Sequence, residues 1–218
     1  MDARFADARM DPRAHWETVY QTRRPHEVSW YRARLDASLA LIEAAVPDRD
    51  ARIIDVGGGA STLVDDLLAR GYRDVAVLDV SSAALDVAKA RLGEAAADVE
   101  WRCGDATAAP LPANHYDVWH DRAAFHFLTR AEDRAAYVRQ VQRSVKPGGR
   151  VVVATFGPAG PQKCSGLDVV RYAPNALLAA FGSAFRLETA LTELHETPAG
   201  TVQPFTYCRF RLEPAACA

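Results

Sequence analysis

The fold of this chain is decided by the stretch Arg52-Ile53-Ile54-Asp55-Val56-Gly57-Gly58-Gly59-Ala60-Ser61-Thr62. Its apolar first half predicts a buried strand, and its three glycines predict a tight turn into a helix. Glycine lets the backbone approach a ligand where a Cβ would intrude, and the start of a helix points free N–H groups at whatever lies in the turn. We therefore expect this turn to bind a nucleotide-like ligand.

Two residues of the stretch indicate which ligand this is. A dinucleotide fingerprint needs a third glycine at position 62, where this chain has Thr62. Asp55 would repel a phosphate but would attract a ligand that carries an ammonium and a sulfonium. The sequence thus favours S-adenosylmethionine, with S-adenosylhomocysteine as the product, over NAD. The candidate cofactor-binding residues of this stretch are Asp55, Val56, Gly57, Gly58, Gly59, Ser61 and Thr62.

Acids also follow the next two apolar segments. Asp79, followed by Val80, ends the second predicted strand, where a carboxylate can accept hydrogen bonds from both ribose hydroxyls. Asp105 and Ala106 follow the third, where an adenine amino group could be bound. Each signal alone has a plainer explanation, because a strand-terminal aspartate such as Asp79 is often only a helix cap.

Taken in order, these motifs and Val145-Lys146-Pro147-Gly148-Gly149-Arg150-Val151-Val152-Val153 resemble the class I S-adenosylmethionine-dependent methyltransferases. The resemblance covers roughly residues 50 to 156. Upstream, the segment of residues 17–31 is similar to N-terminal segments of bacterial small-molecule methyltransferases and of elongation-factor and citrate-synthase lysine methyltransferases. The resemblance of residues 50 to 156 implies a Rossmann-like sheet of seven mostly parallel strands, with the last strand antiparallel.

The periodicity of the chain independently predicts an α/β, doubly wound parallel sheet, because predicted strands and helices alternate. Leu35, Leu39, Ile42 and Val46 recur at helical spacing ahead of the glycine strand. We expect residues 1–48 to form a helical cover or lid and residues 49–218 to form the methyltransferase domain. The predicted strands lie near 52–56, 74–79, 98–103, 116–120, 149–156, 185–194 and 205–212, and the predicted helices near 61–70, 81–92 and 130–144.

Composition narrows the functional classes. The 218 residues are 49% hydrophobic, enough for one sizeable core, and their net charge of -2 provides no broad basic surface for nucleic acid.

Charged residues near the start exclude a signal sequence, and no apolar run is long enough to span a membrane, so we expect a cytoplasmic protein. The four cysteines lack the spacing of a metal site or of a disulfide framework. The oligomeric state is left open.

Three residues around the fourth predicted strand are candidates for a catalytic base. His120, Asp121 and His126 could deprotonate an acceptor, since imidazole titrates near neutral pH and a carboxylate can orient it. The alternatives are that the histidines bond backbone carbonyls and that Arg122 pairs with Asp121. His120 and Arg122 are equally candidates for lining the cofactor pocket.

Other candidates flank the domain. Trp30 could close over the sulfonium with Tyr31 beside it, because aromatic faces stabilise cations, or both rings could simply pack under the helix. The candidate substrate-binding residues are His26, Tyr31, His195, Gln203 and Tyr207.

The leading functional hypothesis is a methyltransferase for a small molecule, with an O, N or S acceptor undetermined. The alternatives are a protein lysine methyltransferase, in which Glu17, Glu27 and Asp121 would form a lysine channel, and a non-catalytic S-adenosylmethionine-binding protein. The fourth strand lacks an Asn-Pro-Pro-Tyr-like motif, which disfavours methylation of adenine or glutamine nitrogen.

Overall fold

The computed structural model describes residues 11–214. Its nine strands in this part of the chain are β1 (Arg52–Val56), β2 (Asp74–Asp79), β3 (Val99–Cys103), β4 (Tyr116–Arg122), β5 (Val145–Phe156), β6 (Lys163–Cys164), β7 (Leu167–Asp168), β8 (Phe185–Glu196) and β9 (Val202–Leu212). The α-helices are α1 (Pro12–Thr22), α2 (Asp36–Ala45), α3 (Leu63–Ala69), α4 (Ser82–Leu92), α5 (Ala131–Ser144) and α6 (Pro174–Phe181).

Seven strands form one sheet in the order β3-β2-β1-β4-β5-β9-β8, and β6 pairs only with β7. Strands β1 to β5 run parallel, whereas β9 is antiparallel to both β5 and β8. This confirms the predicted doubly wound sheet with an antiparallel last strand. The chain builds outward from β1 to β3 and then returns to β4 beside β1, so the crevice for a ligand opens at the carboxyl ends of β1 and β4.

Both faces of the sheet are buried because successive side chains of its strands enter different cores. Ile53 of β1 packs with residues of α2 and α3, whereas Ile54 packs with residues of α5 and α6. Both isoleucines are 0% exposed. A strand that is apolar on both faces is typical of a parallel sheet covered by helices on each side, and this explains the continuous apolar run before the glycines.

Several elements differ from their predicted bounds. Helix α3 starts at Leu63 because Ser61 and Thr62 belong to the glycine turn, and β5 already begins at Val145. Helix α1 lies within the predicted helical cover, but its bounds were not predicted, and neither were helix α6 and the β6–β7 hairpin. Helix α1 starts with Pro12 and is capped by Asp11, whose side chain accepts a hydrogen bond from the Arg13 N–H at 3.0 Å. Residues 1–10 of the predicted lid lie outside the described residues.

Candidate functional site

The backbone of the glycine turn packs closely against neighbouring side chains, with no space for a Cβ. Gly57 has a φ of +68°, and a Cβ there would lie 2.5 Å from the Cβ of Ala124. A Cβ on Gly58 would lie 2.5 Å from Oδ2 of Asp55, and one on Gly59 would lie 2.8 Å from Oδ2 of Asp79. Glycine is therefore required at each position by space, and two predicted cofactor-binding acids border the turn.

Asp55 is held by a buried hydrogen-bond chain. Its Oδ1 lies 2.7 Å from Nδ1 of His120, its neighbour across the β1–β4 ladder, and Nε2 of the same ring lies 2.9 Å from the Ser38 hydroxyl on α2. An ionised carboxylate only accepts, so Nδ1 of His120 carries the proton. The three side chains are almost fully buried. Both ring nitrogens of His120, a predicted base, are thus occupied, and its contacts indicate that it positions Asp55.

A cavity of about 180 Å³ opens beside the turn. Asp79, Val80, Asp105 and Ala106 line it, as do Val56 and Gly57, so the predicted ribose and adenine residues are brought together. Oδ1 of Asp79 accepts from the Ser81 N–H at 2.9 Å, and burial raises the pKa of this carboxyl to about 7. Oδ1 of Asp105 accepts from the Thr107 N–H at 2.8 Å. We name this space the larger cavity.

Aromatic side chains of the N-terminal segment enclose the larger cavity. Trp16 and Tyr20 reach it from α1, and Trp30 reaches it from the loop that follows. The Trp16 ring lies 5.4 Å from that of Trp30 and 5.1 Å from that of Phe127 on the far wall. Edge-to-face contacts of this kind hold the rings at fixed angles. Trp30, which the sequence predicts at the cofactor pocket, thus lines the larger cavity.

A smaller cavity of about 50 Å³ is also lined by Trp30. It shares Tyr20, Trp30, Gly57 and Arg122 with the larger cavity. Its remaining wall includes Asp55, Gly58, Ser61, His120, Val28, Tyr31, Arg32 and Leu35. The four shared residues therefore mark the place where two bound groups would meet.

Arg122, at the end of β4, is tied to three parts of the fold. Its Nε donates to the Tyr207 hydroxyl at 2.9 Å, its Nη1 donates to the Trp30 carbonyl at 3.1 Å, and its guanidinium lies 4.4 Å from the centre of the Phe205 ring. The Tyr207 hydroxyl in turn donates to Glu193 at 3.1 Å. The predicted partner of Arg122, Asp121, is not among these contacts.

Asp121 and His126, the other predicted catalytic residues, are buried behind the site. The carboxylate of Asp121 accepts from the N–H groups of Ala124 and Phe125 and from the Tyr137 hydroxyl, and it is 0% exposed. Nδ1 of His126 accepts from the Phe156 N–H at 3.3 Å, and burial, assisted by the Arg122 cation, lowers the pKa of this ring to about 3. Neither side chain lines either cavity. Their contacts support the turn after β4.

The predicted substrate residues separate into two groups. Tyr31 lines the smaller cavity and, with His26, an open surface depression beside Glu196, Thr197 and Pro198. His195 is buried, and its Nε2 donates to the Ser29 carbonyl at 2.7 Å. Tyr207 and Gln203 are also buried and lie outside both cavities. His195 and Tyr207 therefore fasten the N-terminal segment and Arg122 to the last two strands.

Sequence reasoning missed Ser38, Trp16, Tyr20 and Phe127. An aromatic pair four residues apart at Trp16 and Tyr20 is a detectable helical signal, but nothing local shows that Ser38 lies near His120, 82 positions away. Within residues 11–214 no group of histidine, cysteine, aspartate and glutamate is arranged to hold a metal ion. Over that same range, none of the helices has the length and apolar character needed to cross a bilayer.

Comparison with known proteins adds independent information. Residues 53–149 match the family described as a methyltransferase domain. The chain is 35% identical over 143 residues to a demethylmenaquinone methyltransferase of Renibacterium salmoninarum. The aligned region covers 63% of this chain and 52% of the relative. It is 30% identical over 120 residues to the ubiquinone/menaquinone biosynthesis C-methyltransferase UbiE of Dinoroseobacter shibae, covering 54% and 47%. The chain spans about half or less of the length of the curated relatives it matches.

The fold has close structural counterparts. A solved structure from work on the conversion of a disulfide bond into a thioacetal group during echinomycin biosynthesis superposes with a TM-score of 0.74 at 18% identity, covering 91% of this chain and 92% of the other. An S-adenosylmethionine-dependent methyltransferase of Anabaena variabilis gives 0.68 at 14% identity, covering 94% and 96%. Residues 53–149 are thus similar to a methyltransferase domain, and the fold of the chain is similar to that of solved S-adenosylmethionine-dependent methyltransferases.

Proposed function

We propose that the protein is an S-adenosylmethionine-dependent methyltransferase that acts on a small molecule. The observation that carries this proposal is the meeting of two cavities at Tyr20, Trp30, Gly57 and Arg122. One cavity carries the acids and glycines expected of a nucleoside site, and the other is smaller. Relatives that act in quinone biosynthesis by name support a small acceptor. We expect the reaction to take place in the cytoplasm.

The residues that line the two cavities have the chemistry to hold the groups of the cofactor. Asp79 would accept from the ribose hydroxyls, and Asp105 and Ala106 would face the adenine in the larger cavity. Asp55, held by His120, would pair with the ammonium of the methionyl group. When bound, S-adenosylmethionine supplies a methyl group on a sulfonium, which is already an activated electrophile.

The contribution of the protein is then alignment and the exclusion of water. Trp16, Trp30 and Phe127 form an apolar wall of fixed rings, and aromatic faces stabilise a neighbouring cation. His120 is occupied on both nitrogens, and His126 lies behind the cavities with a pKa of about 3. This arrangement supports an acceptor that is nucleophilic without deprotonation by these histidines.

The lysine methyltransferase alternative has no support in the geometry. Glu17 accepts from the hydroxyls of Ser81 and Ser82, whereas Glu27 accepts from the Arg24 N–H within its own short turn. Asp121 is buried against Tyr137. The three acids therefore do not line one channel, as that hypothesis requires.

Calorimetry tests the cofactor assignment. We expect S-adenosylmethionine and S-adenosylhomocysteine to bind with micromolar affinity and NAD not to bind. Asp79→Ala should abolish binding, whereas Asp86→Ala, which removes an exposed aspartate of α4, should leave it unchanged. Equal binding of NAD, or no binding of the sulfur ligands, would contradict the proposal.

Transfer of a labelled methyl group to a panel of small acids, phenols, thiols and amines tests turnover. Tight binding of the cofactor with no transfer to any member of the panel would favour the non-catalytic alternative instead. Transfer to at least one member that Asp79→Ala prevents is the expected result.

A further inference from the structure

We propose that Arg122 is a binding site for an oxyanion, a carboxylate or a phenolate, at the place where the two cavities meet. The inference rests on the proposed function, because it assigns a ligand group to a residue of that same site. It adds that the ligand group is negatively charged, which the fold alone does not determine.

The hydrogen bonds of Arg122 leave one donor group free. Its side chain is only 6% exposed, and Nε and Nη1 donate to Tyr207 and to the Trp30 carbonyl. Nη2 is buried and has no hydrogen-bond partner among residues 11–214, and its nearest acidic group is Oε2 of Glu193 at 3.9 Å. A buried cationic donor without an acceptor is unfavourable, so an anionic ligand that reaches Nη2 gains a strong hydrogen bond.

The charged groups in direct contact around Arg122, which are two arginines and one glutamate, leave a positive excess. Glu193 is the acid nearest to it, and the carboxylate of Glu193 also forms a salt bridge of 3.3 Å with Arg32. Asp55, on the same cavity wall, is hydrogen-bonded to His120. Two arginines thus share one carboxylate, and the side chain of Glu193 is itself only 13% exposed. A ligand oxyanion would complete this cluster of charges.

The guanidinium is also fixed in orientation. The Phe205 ring supports one face, and the two hydrogen bonds prevent its rotation. Because a planar guanidinium held in one orientation recognises planar oxyanions better than a flexible ammonium does, arginine is the appropriate residue here. Burial is the main cause of the lowered pKa of His126 and of His195, and the positive charge of Arg122 adds to it in both cases.

The position of Arg122 connects it with a route from the surface. The open depression beside His26 and Pro198 shares Tyr31 and Arg32 with the smaller cavity, which in turn shares Arg122 with the larger one. An acidic acceptor that enters by this route would pass Arg32 and then reach Arg122 beside the aromatic wall. An acceptor that is already anionic would need no base, in agreement with the occupied nitrogens of His120.

The oxyanion has two possible sources, the acceptor and the carboxylate of the methionyl group of the cofactor. Calorimetry with Arg122→Gln separates them. S-Adenosylhomocysteine carries the methionyl-type carboxylate, and 5′-methylthioadenosine lacks it. Acetate and benzoate, each compared with its neutral amide on protein saturated with S-adenosylhomocysteine, represent an acidic acceptor.

If the cofactor is the source, Arg122→Gln weakens S-adenosylhomocysteine binding about 10- to 100-fold and leaves 5′-methylthioadenosine unchanged. If the acceptor is the source, the variant binds both nucleosides normally but loses a preference of the wild type for the acids over the amides. The proposal is overturned if neither effect occurs, or if both nucleosides lose affinity equally. Failure of the wild type to bind either nucleoside would instead overturn the proposed function, and this inference with it.

Two further variants control for the loss of a buried arginine. Arg209→Gln removes an arginine of β9 that is 16% exposed and pairs with Glu188 outside both cavities, so it should change none of these affinities. Arg122→Lys retains the charge but cannot reproduce all three donor positions. It should therefore lose the same affinity as Arg122→Gln, but to a smaller extent. It provides the comparison if Arg122→Gln does not fold.

Discussion

Asp79 is buried and lines the larger cavity, so its ionisation should control the binding of the cofactor there. Burial raises the pKa of this carboxyl to about 7, and only the ionised form can accept from both ribose hydroxyls. The affinity for S-adenosylhomocysteine should therefore rise about tenfold between pH 6 and pH 8. Calorimetry across this range should show the rise in the wild type and a weak, flat affinity in Asp79→Asn. A rise of equal size in the variant would assign the effect to another group.

The same shift makes a prediction for the ligand-free protein. The folded-state pKa of Asp79 lies above its ordinary value of 3.8, so the protonated carboxyl stabilises the fold fully at low pH, and this stability is lost as pH rises through about 7. The melting temperature of the wild type should therefore fall relative to that of Asp79→Asn between pH 4 and pH 7. A constant difference between the two proteins would contradict this assignment.

Substitution of Asp121 tests whether this carboxylate has a structural or a catalytic role. Asp121→Ala would leave the N–H groups of Ala124 and Phe125 and the Tyr137 hydroxyl without their acceptor. We expect the free energy of unfolding to fall by about 3 kcal/mol, measured by urea denaturation, with little change in S-adenosylhomocysteine affinity. Asp86→Ala should cost almost nothing. A stable Asp121→Ala protein that binds cofactor but has lost methyl transfer would restore the catalytic hypothesis.

At the scale of elements, the glycine turn offers a matched pair of substitutions. Gly57 and Gly71 both have positive φ, at +68° and +86°, but a Cβ would meet Ala124 at the first and nothing within 4 Å at the second. Gly71→Ala should cost about 1 to 2 kcal/mol of stability, which is the strain of a left-handed residue alone. Gly57→Ala should cost more, by thermal or urea unfolding, and should also abolish S-adenosylhomocysteine binding. Equal effects of the two substitutions would show that space at Gly57 is unimportant.

The elements also show what a sequence can predict. The strands from β1 to β5 and the glycine turn were predicted because their signals are local: apolar runs, glycines and terminal acids. The bounds of helix α1 were not predicted because its mean hydropathy is low and only Val19 is buried. Its position depends on contacts with the start of α4 and with Phe127. The histidines were recognised as notable residues, but burial and their partners on distant elements determine what they do. Arg122 was proposed for the cofactor pocket and does line both cavities.

At the scale of the whole molecule, the N-terminal segment is attached to both halves of the sheet. Glu17 of α1 accepts from the hydroxyls of Ser81 and Ser82 at 2.8 and 3.1 Å, at the start of α4 directly after Asp79. Glu17→Ala should loosen α1 over the larger cavity and raise the dissociation rate of S-adenosylhomocysteine about three- to tenfold. Stopped-flow tryptophan fluorescence would measure this rate.

A second variant controls for changes elsewhere on the same helix. Arg13→Ala, at an exposed position of α1, should leave the dissociation rate unchanged. An unchanged rate in Glu17→Ala would show that α1 does not limit release of the ligand.

The attachment of residues 11–32 has a consequence for how new activities arise in such a protein. These residues supply Trp16 and Tyr20 to the larger cavity and Tyr31 and Arg32 to the smaller one, whereas the sheet supplies the glycine turn and the buried acids. Under the proposed function, the aromatic cover of the cofactor and the entrance for the acceptor are thus inherited together in one short peptide. Under that proposal, an exchange of the peptide between two descendants of a common ancestor would transfer both features at once and leave the core of the fold unaltered.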